Sequence, residues 1–327
     1  MTSTRRAIAA GMLLAAASAM PSHAQTREVS VGIIDVRADS ILDRDRNVHI
    51  EHRGYPSPGK TSAEWSTQSG FDHGQLVATA FVSQLRRIDK SIPVRIYSAN
   101  VFDEKQVATT NAYEHSDGGS KRTLSINWDG ATKALDWFKS QNVRVVLTSF
   151  TSPDSQPLRA FMTKANELGL VVLASAGNKV DGNAFPARYP EAISVAGDSK
   201  GIAFRRDPSV STWVHLVTDG SSPMGANDPD VGSSFAVARA AAYAAYMHSS
   251  NPGIGRQDVL DEFRRIAESK SYEVSSQTVQ VSYLDPQRSA AALSERTASS
   301  VRLPTKGPEA AEDHAPIAPT RVAASGR

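Results

Sequence analysis

The sequence predicts an α/β fold with a doubly wound, mostly parallel sheet and helices on both of its faces. Five short runs are rich in β-branched and other apolar residues, as expected of strands buried on both sides. They are residues 29–34, 94–97, 143–148, 170–174 and 192–196. Segments with a helical pattern separate them, at residues 76–88, 128–139 and 157–168. Buried strands that alternate with helices of this length favour parallel crossover units.

The remaining segments complete the predicted organisation. Residues 39–70 and 113–122 are polar and aperiodic, which predicts surface excursions. A long apolar helix is expected over 235–247, a second helix over 257–269 and a β-hairpin over 272–283. Residues 296–327 carry four prolines among Ala, Lys and Glu and have no aromatic residue, so we expect a disordered tail there.

The N-terminus has the features of a secretory signal peptide. Arg5 and Arg6 precede an apolar run over 7–20, and Ser22-His23-Ala24 gives a small-x-small cleavage pattern. The apolar run is too short for a membrane anchor, and no later run approaches the roughly 20 residues that a membrane span needs. We therefore expect residues 1–24 to be removed from an exported protein, periplasmic or secreted, whose folded domain is 25–295.

Charge and cysteine content exclude several classes of protein. Without the leader the chain has 34 basic and 34 acidic residues, and it contains no cysteine. A balanced charge gives no global field that would attract nucleic acid or a membrane surface. An exported chain without disulfides must be held by its own core, for which about 270 residues suffice.

Four polar residues follow predicted strands or begin predicted helices, in the chain order Asp35, His73, Asn178 and Ser234. Ser234 precedes a long apolar helix, where unpaired backbone N–H groups and the helix dipole can hold an oxyanion. A serine nucleophile needs a base, which His73 supplies, and the carboxylate of Asp35 can orient that base. The side-chain amide of Asn178 can donate to the same oxyanion. We therefore predict acyl-transfer chemistry at the carboxyl edge of the sheet.

Five local motifs, in their order along the chain, resemble those of the subtilisin-like serine proteases, the subtilase family, over about residues 29–293. The motifs are Ile34-Asp35; His73-Gly74 with Val77-Ala78; Ala176-Gly177-Asn178; Gly232-Ser233-Ser234 with Ala236; and residues 185–196. The resemblance implies a catalytic triad of Asp35, His73 and Ser234, an oxyanion donor in Asn178, and a peptide or protein substrate.

Substrate contacts are implied by the same resemblance. Subtilases pair the substrate as an extra strand against a Ser-Leu-Gly edge, which corresponds here to Ser149-Phe150-Thr151. We therefore assign Ser149, Phe150 and Gly177 to substrate binding. Thr151 replaces the glycine of that edge. Further departures from the family pattern occur next to the reacting groups, at Val36, Arg37, Gln75, Thr79, Ala238 and Arg239.

These departures motivate an alternative, a subtilase-like pseudoprotease that binds a peptide or protein partner without turnover. A further alternative is hydrolysis of esters by the same groups. No cofactor is implied. His49 and His52 lie in a predicted polar loop without a helical frame, so we assign no metal site. Many subtilases bind calcium, but the sequence identifies no calcium site. It also leaves the oligomeric state and the side-chain preference undetermined.

Overall fold

The computed structural model describes residues 27–67, 69–104, 112–117, 120–178, 184–198, 212–225, 228, 230–274 and 276–302. Its strands are β1 Val29–Asp35, β2 Val48–Gly54, β3 Val94–Asn100, β4 Phe102–Asp103, β5 Ala112–Asp117, β6 Ser120–Ile126, β7 Val145–Thr148, β8 Val171–Ser175, β9 Ala192–Gly197, β10 Leu216–Thr218, β11 Glu268–Val274 and β12 Gln277–Leu284. Its helices are α1 His73–Ile88, α2 Trp128–Ser140, α3 Gln156–Glu167, α4 Ser233–Ser250, α5 Arg256–Ile266 and α6 Arg288–Arg302.

A nine-stranded sheet forms the centre of the fold, in the order β11-β12-β10-β9-β8-β7-β1-β3-β2. Neighbouring strands are parallel throughout except for β11 and β12, which form the predicted antiparallel hairpin. Strands β4, β5 and β6 make a separate antiparallel sheet. This order, with helices in the crossovers, confirms the doubly wound α/β architecture.

Two hydrophobic layers cover the faces of the large sheet. Successive residues of a strand point to opposite faces, so Ile33 packs in the layer that contains α1 and α4, and Ile34 packs in the layer that contains α2 and α3. Helix α4 is buried from Ser233 to His248 because it packs on α1 and against β1, β7, β8 and β9. A helix that is apolar on all sides requires such a position.

Strand β2 corrects the prediction for residues 39–70. These residues are not one irregular excursion, because Val48–Gly54 pairs in parallel with β3 over seven residues at the edge of the large sheet. The sequence of β2 is polar because an edge strand is only partly covered, and its burial is intermediate or low. The strand is specified by non-local pairing, which a local pattern does not reveal.

Other boundaries also differ from the predictions. Residues 113–117 and 120–122, which we predicted to be part of a surface excursion, belong to β5 and β6, and these two strands pair antiparallel. Helix α5 ends at Ile266, and β11 then occupies the end of the segment that we predicted to be helical. Strand β10 was not predicted. Helix α6 continues to Arg302, beyond the predicted start of the tail at residue 296. The predicted signal peptide and residues 303–327 lie outside the described residues.

Candidate active site

The carboxyl edge of the parallel sheet gathers the predicted site residues. Asp35 is the last residue of β1, Ser149 follows β7, and Asn178 follows β8. Strand β1 pairs with β7, and β7 pairs with β8, so these three positions are adjacent along the edge. His73 begins α1 and Ser234 lies in the first turn of α4. Parallel topology alone therefore brings these five residues to one region.

Asp35 is buried, and three donors surround its carboxylate. His73 Nδ1 lies 2.9 Å from Oδ2 and 3.0 Å from Oδ1, and the backbone N–H of Val36 donates to Oδ1 at 2.6 Å. The Ser149 hydroxyl donates to Oδ2. A carboxylate that is only 2% exposed is costly unless it is hydrogen-bonded. These donors meet that need and fix the position of the imidazole.

His73 is held by its backbone, by its ring face and by Nδ1. Its N–H donates to the carbonyl of Trp65 at 2.9 Å, and the indole of Trp65 lies parallel to the imidazole with the ring centroids 4.0 Å apart. The residue after it must be glycine, because a Cβ on Gly74 would lie 2.5 Å from the carbonyl oxygen of Arg37. With Nδ1 bonded to Asp35, Nε2 is the nitrogen available for proton transfer.

Ser234 is 7% exposed, and its hydroxyl donates to the backbone carbonyl of Ser149 at 2.7 Å. Within the described part of the chain, no hydrogen bond joins this hydroxyl to His73. Both residues nevertheless line one pocket of about 100 Å³. Proton transfer from Ser234 to His73 therefore requires the hydroxyl to turn away from Ser149.

Asn178 has a fixed amide orientation. Its Oδ1 accepts from the backbone N–H of Ser233 at 2.8 Å and from the Ser233 hydroxyl at 2.9 Å. The Ser233 hydroxyl also lies 2.6 Å from that of Ser175. Because the carbonyl end is engaged, the NH₂ end is the donor that faces Gly232, where an added Cβ would lie 2.9 Å from Nδ2. Gly177 makes the preceding turn with φ +88°, which favours glycine.

The three residues of the predicted substrate edge, Ser149, Phe150 and Thr151, make different contacts. Ser149 contacts the site with both its hydroxyl and its carbonyl. The Phe150 side chain is 3% exposed and packs edge-on against Phe102, with the ring centroids 5.2 Å apart. Phe150 therefore offers a substrate only its backbone. Thr151 lies over Gly177, because its Cγ2 would be 3.1 Å from a Cβ at that position. Position 177 therefore favours glycine for two reasons, the positive φ of the turn and the close contact with Thr151.

The departures from the family pattern form contacts of their own around the site. The Thr79 hydroxyl donates to the Gln75 carbonyl at 2.8 Å and accepts from the Leu42 N–H at 3.1 Å, which ties the loop after β1 to α1. Arg239 is buried and donates to the Asp219 carbonyl at 2.9 Å. Burial lowers the pKa of Arg239. Burial alone would raise the pKa of Asp219, but the guanidinium of Arg239 lowers it.

Several residues that the sequence analysis did not select as site residues also line the pocket: Trp65, Thr67, Asp230, Val231 and Phe235. Trp65 and Thr67 lie in the segment that we predicted to be an irregular excursion, and Asp230 lies just before the serine motif. Ser69 connects the two segments, because its N–H and hydroxyl donate to Asp230 Oδ2 at 3.2 and 2.7 Å. A tryptophan seven residues before the Asp72-His73 pair was an available but non-specific signal.

No group of three or more His, Cys, Asp or Glu side chains suited to a metal ion occurs among the described residues. His49 and His52 both lie in β2, three residues apart, so their side chains leave opposite faces of the strand. His52 Nδ1 is hydrogen-bonded to the Ser98 hydroxyl at 3.0 Å. Over the ranges that the structure covers, no helix is long and apolar enough to span a bilayer.

Comparison with solved structures supports the fold. The structure of the prenylagaramide maturation protease PagA matches with a TM-score of 0.54 at 16% identity, covering 82% of this chain and 94% of that one. A structure that concerns the assembly of the subtilase cytotoxin SubAB matches with a TM-score of 0.53 at 14% identity, covering 84% of this chain and 92% of that one. At these identities the likeness shows the fold alone.

Comparison of the sequence with known proteins gives the family. A search of curated proteins found no match. The profile described as the subtilase family matches residues 26–282, a range that includes all seven predicted site residues. The chain therefore belongs to the subtilase family and is a serine-type peptidase.

Proposed function

We propose that this protein is an exported serine endopeptidase that acts through Asp35, His73 and Ser234, with Asn178 as an oxyanion donor. The observation that supports the proposal best is the buried Asp35–His73 pair at 2.9 Å beside Ser234 in a shared pocket. Trp65 and Ser149 hold that pair in place. Export is supported by the N-terminal leader.

The proposed reaction has two stages. The Ser234 hydroxyl turns from Ser149 to His73, gives its proton to Nε2 and attacks the peptide carbonyl. The Ser234 backbone N–H and the Asn178 amide donate to the oxyanion. When the C–N bond breaks, His73 returns the proton to the leaving amine. Water then attacks the acyl-enzyme, His73 takes the proton of the water, and Ser234 is released with its own proton restored.

A specific observation favours the pseudoprotease as a second candidate. The Ser234 hydroxyl is bonded to the Ser149 carbonyl, an arrangement in which the serine is not activated. In that case the pocket would bind a peptide or protein without cleaving it. Hydrolysis of esters is a further outcome that the same groups permit.

The test uses the mature protein and its Ser234→Ala variant. Both are treated with a fluorophosphonate and, separately, incubated with an unfolded protein whose cleavage ends are identified by mass spectrometry. If the protein is an endopeptidase, the fluorophosphonate labels Ser234 and the protein cleaves the substrate at internal positions. The Ser234→Ala variant shows neither labelling nor cleavage. Labelling with turnover of simple esters but not of peptides would indicate the esterase. If neither labelling nor cleavage occurs, the pseudoprotease is supported and the proposed endopeptidase is rejected.

A further inference from the structure

The pocket beside the reacting groups has an asymmetric wall. Its lining comes from three parts of the chain: Trp65, Thr67 and His73; residues 230–232 with the start of α4; and Asn178. Its volume of about 100 Å³ gives room for part of one side chain. Ser149 and Phe150, which we assigned to substrate binding, contribute nothing to this lining.

Position relative to His73 identifies which part of a substrate would occupy the pocket. The group that His73 protonates is the leaving amine, so the residue that carries this amine must lie against the imidazole. Ser149 and Phe150 do not line the pocket, so we place the acyl part of the substrate along them. The pocket is therefore on the leaving-group side of the scissile bond.

Charge distinguishes this pocket from a simple apolar cleft. Among the described residues, Asp230 is the one carboxylate in the lining, and no Lys or Arg side chain lines it. Ser69 fixes the Asp230 carboxylate through two hydrogen bonds to Oδ2. No Lys, Arg or His within the described ranges forms an ion pair with Asp230. A half-buried carboxylate without a cation favours a positively charged ligand.

The apolar walls suit the stem of a basic side chain. The rings of Trp65 and Phe235 line the pocket, and Val231, which is 40% exposed, lies at its rim. Lysine and arginine pack their methylene groups on apolar surfaces while the charged end reaches a polar partner. Aromatic faces add a further attraction for a cation.

We infer that Asp230 makes the enzyme select a basic residue, lysine or arginine, as the first residue of the leaving fragment. This inference rests on the proposed function, because it assigns a substrate class to the same site. Asp230 is thus a specificity-determining residue, held by Ser69 from a separate loop.

Acyl transfer to added amines measures this preference separately from acylation. The mature protein is given a simple ester and an amino acid amide. The amine attacks the acyl carbonyl of the acyl-enzyme, the bond to Ser234 Oγ breaks, and the proton of the amine returns to Ser234 through His73. The ratio of amide product to acid product then reports how well each amine occupies the leaving-group side. Lysinamide is compared with norleucinamide, which lacks only the charged amino group.

The expected result is a preference for lysinamide over norleucinamide of about three- to fivefold, the range for a partly exposed charge pair. Asp230→Asn should reduce the ratio to near one, and its side-chain oxygen can still accept from Ser69, so the loop is retained. Salt should reduce the preference of the unmodified protein but not that of the variant. Glu64→Gln is the matched control. Glu64 is an exposed carboxylate in the same segment as Ser69, and it does not line the pocket.

Two failures can be told apart. Equal use of the two amines by a protein that hydrolyses the ester, or a preference that survives in Asp230→Asn, overturns the assignment of Asp230 and leaves the peptidase intact. Failure to form an acyl-enzyme, shown by the absence of fluorophosphonate labelling, overturns the proposed function and the inference together.

Discussion

Replacing Gly232 by alanine should disable the oxyanion donor without removing it. The backbone at Gly232 is extended, with φ 178°, so alanine is compatible with the local conformation. Its Cβ would lie 2.9 Å from Asn178 Nδ2 and 3.4 Å from Oδ1. The amide must therefore move, which lengthens its bonds to Ser233 and displaces the NH₂ donor.

The magnitude follows from what the donor contributes. Loss of one oxyanion-hole donor lowers kcat by about 10²–10³, or about 2.7–4 kcal/mol, a range taken from a member of this same family. A displaced donor retains part of this contribution, so Gly232→Ala should lower kcat by about 10- to 100-fold. Binding before the reaction does not use the oxyanion contact, so KM should change little. Stability should change by less than about 1 kcal/mol.

The assay is a double-mutant cycle with Asn178→Ala, in which kcat is measured on one peptide substrate. Since both changes act through the same amide, the double variant should be no slower than Asn178→Ala alone. Gly253→Ala is the matched control, because a Cβ there makes only an ordinary contact, 3.6 Å from Asn251 Oδ1. Full activity of Gly232→Ala, or losses that add in the double variant, would refute the role that we assign to Asn178.

Two further predictions concern an aromatic wall and a buried histidine. Trp65→Leu should lower kcat about 3- to 10-fold, because the stack on His73 is lost. Trp65→Phe keeps an aromatic ring and should retain most of the activity. If the two variants lose kcat equally, a stacking role is excluded. Burial lowers the pKa of His248 to about 4, so the unfolded chain takes up a proton before the folded protein does. Stability should therefore fall by up to about 3 kcal/mol as the pH decreases from 6.5 to 4. The measurement is urea unfolding at several pH values in a Ser234→Ala background, which prevents self-digestion. The free energy of unfolding of the His248→Leu variant should not show this loss at low pH. If it falls with pH in parallel with that of the protein that retains His248, the prediction is contradicted.

Local signals in the sequence were sufficient for the elements that form the centre of the fold. The buried strands β1, β3, β7, β8 and β9 come from short runs rich in β-branched and other apolar residues, a pattern typical of buried strands at that length. The edge strand β2 and the short strand β10 were not predicted, because their own residues carry no such signal. Strand β2 is polar because one edge lacks a neighbour, and β10 has only three residues, so their pairing partners rather than their own side chains define them.

The site divides in the same way. The sequence by itself was enough to predict the site residues Asp35, His73, Asn178 and Ser234, because each lies in a local motif at the end of a strand or the start of a helix. The tertiary structure decided how these groups are held: the hydroxyl of Ser149 on Asp35, the stack of Trp65 on His73, and the loop that Ser69 joins to Asp230. The Ser149–Asp35 and Ser69–Asp230 contacts join residues 114 and 161 positions apart, and only tertiary packing brings such residues within bonding distance. The stack of Trp65 on His73 is closer in sequence, but it depends on a turn of the backbone that the bond from the His73 N–H to the Trp65 carbonyl holds.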